Sequence, residues 1–190
     1  VQRLASHRDP VIRRHALSVL SKIGGPLVLE TLDKALIEKS LEHRIAAMDA
    51  IAPLMRRGGP AARKLAGRVQ ASLRASDWRE QVAAASAMGR YGRGADRGAL
   101  TKVVGDPRRK AFVRQAAATS LGQLRAKKAI TALTRAARDP SRAVQEQAVL
   151  ALRAIGGPRA RAALKAIARD SKVSASARAL ARSPARSRKN

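Results

Sequence analysis

Apolar residues recur along this chain in a pattern that is typical of packed helices. An alanine stands four residues before each of five apolar anchors, a small or β-branched residue stands one before it, and another apolar residue stands three after it. These offsets place one apolar stripe on a single helix face. The pattern therefore predicts helical repeats of 31 to 37 residues, counted between successive anchors. The anchors are Leu20, Ile51, Met88, Leu121 and Leu152.

Turn-forming residues fall at matching places in this register. An Asp-Pro pair predicts a capping carboxylate followed by a proline in the first turn of a repeat's first helix. The pairs are Asp9-Pro10, Asp106-Pro107 and Asp139-Pro140. A Gly-Gly-Pro triplet predicts the end of that helix and the start of a second one, because glycine accepts a left-handed backbone. The triplets begin at Gly24, Gly58 and Gly156.

This register predicts a single domain over residues 1–182, built from five repeats and a half. The repeats are expected at about 8–39, 40–74, 75–104, 105–137 and 138–169, and the half repeat at 170–182. Residues 183–190 carry no apolar period and several basic residues, which is typical of a disordered basic tail.

The order of residues within a repeat resembles a known family. Asp-Pro, a β-branched residue with Arg, then Ala, Leu and Ile-Gly-Gly-Pro is similar to the short HEAT-like repeats of the phycobilisome-lyase type, over roughly residues 8–182. The resemblance implies an all-α fold, a right-handed α-solenoid of helical hairpins. HEAT-like arrays include protein scaffolds, lyase subunits, a di-iron hydroxylase and DNA glycosylases, so the resemblance does not select an activity.

Charge adds a functional signal to this architecture. The chain carries 40 Lys and Arg against 13 Asp and Glu, a formal net charge of +27. Residues 96–190 hold twice the net charge of residues 1–95, +18 against +9. Self-repulsion of this size destabilises a compact protein unless a polyanion or counter-ions offset it. Arg outnumbers Lys 29 to 11, which suits bidentate contacts with phosphate.

The basic residues recur at the turns between paired helices, along second helices and in a loop between repeats. We therefore predict a nucleic-acid-binding surface that contacts the phosphate backbone, with duplex DNA preferred over structured RNA because aromatic residues for base stacking are scarce. The candidate residues are Arg56, Arg57, Lys64, Arg68, Arg93, Arg108, Arg109, Lys110, Arg125, Lys127, Lys128, Arg159, Arg161, Lys165 and Arg169.

Two other functions remain open from the sequence. The first is a scaffold that binds an acidic protein partner through the same charges. The second is an alkylpurine DNA glycosylase, since the chain also resembles the HEAT-like DNA-alkylation-repair enzymes, with Asp77-Trp78-Arg79 as the only candidate site. The structural interpretation of that tripeptide is a helix cap at Asp77, as at Asp9.

Other site types find no support in the residues. The chain has no cysteine, and its three histidines, His7, His15 and His43, do not form metal-binding motifs. We expect no catalytic residue, no metal and no cofactor. No signal peptide or transmembrane segment is visible, so we expect no membrane partner and a location in the cytoplasm or on the nucleoid. The oligomeric state is left open.

Overall fold

A computed structural model describes residues 2–57, 59–91 and 94–183. Within these ranges the chain is all-helical, which confirms the expected fold class. No helix in these ranges is long and apolar enough to cross a membrane. The α-helices are α1 Pro10–Ile23, α2 Pro26–Ala35, α3 Leu41–Ala50, α4 Ala52–Arg57, α5 Pro60–Ala71, α6 Trp78–Tyr91, α7 Gly94–Val104, α8 Ala111–Gln123, α9 Ile130–Ala136, α10 Arg142–Ile155, α11 Gly157–Arg169 and α12 Ala175–Arg182. Short 3-10 helices cover Gln2–Ser6, Ser72–Arg74 and Lys127–Ala129.

The chain divides into two compact units, residues 1–93 and 94–190. In unit 1, α1 packs on α3, α3 packs on α6, and α2 packs on α5. In unit 2, α8 packs on α10, α10 packs on α12, and α9 packs on both α7 and α11. First helices of successive repeats therefore pack on first helices, and second helices on second helices. The single domain over residues 1–182 and the repeat bounds stay predictions.

The predicted apolar stripe forms the core of both units. All five anchors and the five alanines four residues before them are at most 5% exposed. Small residues at this stripe bring helices close together, as where α8 meets α10. A Cβ added to Gly122 would lie 2.9 Å from the Cα of Ala151, so the two backbones are already in contact there.

The first repeat exposes positions that later repeats bury. Val19 and Ile23 on α1 are 44% and 64% exposed, whereas their counterparts Ala151 and Ile155 on α10 are 3% and 7% exposed. In α10 these positions face the first helix of the preceding repeat, as the contact between Ala151 and Gly122 shows. Among the described residues α1 has no such preceding helix, so this face stays open to solvent.

Two of the three predicted helix caps are wrong. Asp9 does cap α1, because its carboxylate accepts the N–H of Val11 at 2.7 Å. Asp106 and Asp139 instead lie five and three residues before α8 and α10 begin. Each accepts the backbone N–H two residues ahead, at 3.1 and 2.8 Å. Asp9 accepts the same bond, but after Asp106 and Asp139 the helix begins further along the chain, so there the bond closes a loop turn instead of capping a helix.

The first helix of the second repeat is broken into α3 and α4 at Ile51. Pro53 has no N–H to donate to the carbonyl four residues earlier, so the α-helical ladder cannot run through this point. The predicted glycine turns agree with the helix bounds where they are described. Gly24 and Gly156 end α1 and α10 with φ of 77° and 65°, whereas Gly58 lies outside the described residues.

Candidate nucleic-acid interface

A recurrent side chain holds the loop that precedes each first helix. In every full repeat an Arg or Gln stands seven residues before the anchor and donates to a backbone carbonyl five or six residues earlier. In Arg44, for example, one guanidinium nitrogen lies 2.6 Å from the carbonyl of Glu38 and 2.9 Å from that of Lys39. These residues, which we call the loop-bracing set, are Arg13, Arg44, Gln81, Arg114 and Gln145. These residues were not predicted from the sequence, although their regular spacing from the anchors was a detectable signal.

Two arginines of the loop-bracing set also pair with a buried carboxylate of the next repeat. Arg114 makes two bonds to the carboxylate of Asp139, at 2.7 and 2.8 Å, and both side chains are 8% exposed. The hydrogen bonds that Arg114 donates to Asp139 raise the pKa of Arg114 above its ordinary value. Arg44, whose side chain is 21% exposed, donates two hydrogen bonds to one carboxylate oxygen of Glu80, at 2.7 and 3.0 Å. Both guanidinium groups are therefore held by hydrogen bonds within the fold.

The carboxylates of unit 2 neutralise most of the basic residues in its inter-repeat loops. Asp106 lies 3.0 Å from Arg108 and 3.5 Å from Arg109. The hydrogen bond from Arg108 lowers the pKa of Asp106 below its ordinary value. Two further pairs of the same kind are Arg138–Asp170, at 2.5 Å, and Arg142–Glu146, at 3.1 Å. We call these four arginines the loop ridge. Arg108 and Arg109 are thus placed beside an acid, while the neighbouring Lys110 is exposed.

A positively charged groove lies between the second helices α7 and α9. One end of it has a volume of about 880 Å³, and five of its eight lining residues are basic while none is acidic. The basic ones come from α7 and from the turn that joins α8 to α9. The lining residues are Arg97, Gly98, Thr101, Lys102, Arg125, Lys127, Lys128 and Ala129. We refer to the whole hollow between α7 and α9 as the basic groove.

The basic groove continues toward the other end of α9. Thr101 and Lys102 also line an adjoining hollow of about 700 Å³, to which Arg135 contributes from α9. Asp106 and Asp139 border this end, but both are paired with arginines of the loops and the loop-bracing set. In the part of the chain that the structure describes, no carboxylate pairs with the six exposed groove cations. These are Arg97, Lys102, Arg125, Lys127, Lys128 and Arg135.

A second set of unpaired cations lies on α11, which packs on α9. Arg161, Lys165 and Arg169 are spaced by four residues, share one face of the helix and are exposed. Arg159 is exposed at the start of the same helix. None of these four pairs with a carboxylate of residues 94–183. The unpaired charge of unit 2 is therefore concentrated on its second helices and their turns.

The corresponding groove in unit 1 is neutralised. It lies between α2 and α5, has a volume of about 340 Å³, and is lined in part by Glu30 and Asp33. Lys64 lies 2.9 Å from Asp33, and Arg68 makes two bonds to the same carboxylate. Burial, the largest single influence, raises the pKa of Asp33, but the bonds from Arg68 and Lys64 together lower it below its ordinary value. Lys64 and Arg68 were predicted to contact nucleic acid. In the structure both pair with the Asp33 carboxylate.

The structure brings together only part of the predicted site. Arg125, Lys127 and Lys128 meet in the basic groove with three residues that the sequence analysis did not select. Of those three, Lys102 and Arg135 occupy the same position in successive repeats, fourteen residues after the anchor, which was a usable signal. Three candidates cannot be placed. Arg93 lies outside the described residues, as do the side chains of Arg56 and Arg57 and most of the predicted tail, residues 184–190.

At the glycosylase candidate site, Asp77 is bonded to Arg79 of the same tripeptide. The Asp77 carboxylate accepts the backbone N–H of Arg79 at 2.8 Å and also pairs with the Arg79 guanidinium at 2.8 Å. These bonds lower the pKa of Asp77. Trp78 begins α6 and is 39% exposed. This geometry agrees with the structural interpretation of the tripeptide as a helix start.

The histidines are engaged with the backbone. The Nε2 of the buried His43 lies 2.8 Å from the carbonyl of Ala5, the Nδ1 of His15 lies 2.9 Å from the carbonyl of Val11, and the Nδ1 of His7 accepts the N–H of Asp9. Across the described ranges there is no group of three or more His, Asp or Glu side chains placed to hold a metal ion.

Known structures share this architecture over almost the whole chain. Human deoxyhypusine hydroxylase in complex with glycerol is 25% identical, with a TM-score of 0.53 over 95% of this chain and 69% of that chain. An engineered protein is 20% identical, with a TM-score of 0.58 over 95% and 91% of the two chains. A designed armadillo repeat protein is 18% identical, with a TM-score of 0.56 over 95% and 94%. Likeness at the lower identities shows the fold alone.

Sequence comparison identifies the repeats themselves. No curated protein matches the chain. The sequence model of HEAT repeats matches residues 65–142 and, in a second overlapping match, residues 109–183. Together these matches cover more than half of the chain and include the basic groove. Hence the chain belongs to the HEAT-repeat family, and its helical hairpins form an α-solenoid scaffold.

Proposed function

We propose that this HEAT-repeat scaffold is a non-enzymatic nucleic-acid-binding module whose basic groove contacts the phosphate backbone of duplex DNA. One observation carries the proposal. Among the described residues, the ion pairs of Asp106, Asp139, Glu146 and Asp170 are made with the loop ridge and with Arg114, and six exposed cations around one groove have no described carboxylate partner. A coat that served solubility alone would intersperse the two signs of charge.

Backbone contact is the recognition mode that these side chains favour. Arg and Lys neutralise phosphates and release condensed counter-ions, which gives affinity without base readout. Arg97, Arg125 and Arg135 add planar guanidinium groups that can bond two phosphate oxygens at once. The exposed stripe on α11 supplies further positive charge beside α9.

The scarcity of aromatic residues favours a duplex over a single strand. Single-stranded nucleic acids are bound largely by stacking of bases on aromatic side chains. The chain has one Trp, one Tyr and one Phe, and none of the three lines the basic groove. Tyr91 is buried, and Trp78 and Phe112 stand at the first turns of α6 and α8. A regular phosphate backbone therefore suits the groove better than splayed bases.

The salt dependence of binding tests this proposal. If the six groove cations each displace a counter-ion from B-DNA, log K should fall with log salt concentration with a slope of about −5. Affinity for a short fluorescein-labelled duplex of arbitrary sequence should then drop by about 10³ between 50 and 200 mM salt, measured by fluorescence anisotropy. A flat salt response would overturn the proposal.

Charge reversal locates the contact. The triple change of Arg125, Lys127 and Lys128 to Glu should weaken binding equally for duplexes of different sequence and reduce the magnitude of the salt slope by about 3. The matched control reverses Lys39, Arg63 and Arg74, three exposed cations of unit 1, and so changes the net charge by the same amount. If both triple variants lose the same affinity, binding is a general effect of net charge and the groove is not the site.

An acidic protein is the second candidate ligand, because a carboxylate-rich segment would also match the unpaired groove cations. Pull-down with and without nuclease separates the two ligands. Nucleic acid that is recovered from untreated material and removed by nuclease supports the proposal. An acidic protein whose capture survives nuclease, together with no binding of the labelled duplex, would replace it.

A further inference from the structure

The turn that ends α8 places an arginine where the backbone favours glycine. The N–H of Arg125 donates to the carbonyl of Gly122 at 3.0 Å, and the N–H of Ala126 donates to that of Leu121 at 3.0 Å. This bonding pattern is the Schellman motif, which requires a left-handed residue just past the helix end. Arg125 is that residue, with φ of 45°, and it is the only non-glycine residue of the described ranges with positive φ.

Other repeats have glycine at the same position. Four residues after the anchor, the first repeat has Gly24 with φ of 77° and the fifth has Gly156 with φ of 65°. With ψ of −168° and −167°, both glycines lie in an extended region that glycine alone enters readily, whereas in the left-handed region of Arg125 a side chain brings Cβ too close to the following carbonyl oxygen. The fourth repeat thus carries a side chain with positive φ at an offset where the first and fifth repeats have glycine.

Among the described residues, no ion pair of the Arg125 side chain explains this choice. The side chain is exposed, and within residues 94–183 no carboxylate pairs with it. It lines the basic groove together with Lys127 and Lys128, which follow in the same turn. Because the turn is fixed by two backbone bonds, it holds the root of the side chain at the groove before any ligand arrives, and such preorganisation lowers the entropy cost of binding.

Resting on the proposed function, we propose that Arg125 is the principal phosphate-contacting residue of the basic groove, retained at a left-handed position at the expense of stability. Its guanidinium can bond two oxygens of one phosphate, and Lys127 and Lys128 add single contacts on either side. The strain of the turn and the affinity for the polyanion are therefore linked through one residue.

The substitution Arg125→Gly separates stability from binding. It should raise Tm by about 4 °C, because the strain at this position is relieved. It should also weaken binding of the labelled DNA duplex at least about tenfold, as expected for loss of a charge-assisted bond. The salt slope should shrink by about 1. Arg125→Lys keeps both the strain and the charge, so it should leave Tm unchanged and lose less affinity.

The control is Lys172→Gln, which removes one exposed charge in the turn between α11 and α12, outside the groove. If Arg125→Gly raises Tm but weakens binding no more than Lys172→Gln does, the role of Arg125 is overturned while the groove proposal stands. A fall in Tm for Arg125→Gly would overturn the premise of strain. A wild-type protein that does not bind the duplex in a salt-dependent manner overturns the proposed function itself.

Discussion

Arginine side chains in this molecule differ in their burial and in whether a carboxylate compensates their charge. Arg114 is 8% exposed at its side chain and bonds Asp139 and a loop carbonyl, so its charge is compensated within the fold. Arg125 and Arg135 are exposed and have no described carboxylate partner. Removing a buried, paired arginine leaves its carboxylate partner buried without a counter-charge. Removing an exposed, unpaired arginine leaves only solvent in its place. The two kinds should therefore respond differently to mutation.

The buried pair gives the first stability prediction. Arg114→Ala should lower the free energy of unfolding by about 3–5 kcal/mol, because Asp139 would be left buried without its partner. Arg138→Ala removes a guanidinium that is 63% exposed and paired with Asp170, so it should cost at most about 1 kcal/mol. Urea unfolding followed by circular dichroism measures both. Equal losses for the two variants would contradict the assigned roles.

At the scale of the element, small residues set the distance between neighbouring first helices. Gly122 on α8 lies against the backbone of Ala151 on α10, and no side chain fits between them. A larger residue must push the helices apart, because the opposing atom is part of the main chain and cannot rotate away. The alanines of the apolar stripe serve the same close packing in every repeat.

A pair of glycine substitutions tests this contact. Gly122→Ala should destabilise the protein by about 1–3 kcal/mol through overpacking against Ala151. Gly98→Ala on α7 meets no atom within 4 Å, so it should stabilise by about 0.5–1 kcal/mol, as expected for replacing glycine inside a helix. Thermal unfolding of the two variants should show Tm shifts of opposite sign. A gain in stability for Gly122→Ala would show that α8 and α10 are not in close contact.

At the scale of the whole molecule, the two units arrange their charges differently. In unit 1 the acids Glu30 and Asp33 line the groove between second helices and neutralise its cations. In unit 2 the carboxylates lie mainly at the loops, beside the loop ridge. The net charges of the two units, +9 and +18, therefore understate the contrast between their grooves.

The loop carboxylates predict how stability depends on pH. Hydrogen bonds from Arg108 and Arg138 lower the pKa values of Asp106 and Asp170, and bonds from Ser176 and Arg142 lower that of Glu146. A pKa lower in the folded than in the unfolded state contributes stability above the unfolded value, about 4, and that stability is lost as pH falls further. The urea midpoint should therefore be lower at pH 3 than at pH 5.

The net positive charge also grows as pH falls, and this too lowers the stability of the folded protein. A variant is therefore needed to isolate the contribution of the ion pairs. Asp170→Asn cannot titrate at this position, and its urea midpoint should fall less between pH 5 and 3 than that of the wild type. A midpoint that rises on acidification, or an identical fall in the variant, would show that these bonds do not stabilise the native state.

Much of the fold could be predicted from particular residues. The anchors and their alanines predicted the buried stripe, and glycines such as Gly24 and Gly156 predicted where first helices end. The caps at Asp106 and Asp139 were predicted wrongly, because each carboxylate makes in a loop turn the bond that Asp9 makes at a helix start, and each also pairs with an arginine. An Asp-Pro pair does not by itself distinguish these competing bonds.

The candidate site was less predictable. Lys64 and Arg125 are equally basic in the sequence, yet Lys64 lies beside Asp33, an acid 31 residues away in the chain, and Arg125 does not meet a described carboxylate. Arg125 also gave no signal of its unusual backbone, since its positive φ follows from the bonds of the turn. Pairing of this kind depends on which helices pack together.

The sequence by itself determined the repeat, the helical class, the stripe of small residues and the positive charge, because each of these depends on residue type and spacing along the chain. Only the tertiary structure decided which charges are neutralised. Packing of second helix on second helix places Asp33 against Lys64 and Arg68 in unit 1 and places six exposed cations around one groove in unit 2. Coulomb interactions fall off with distance, so a net charge acquires a location only when the chain is folded.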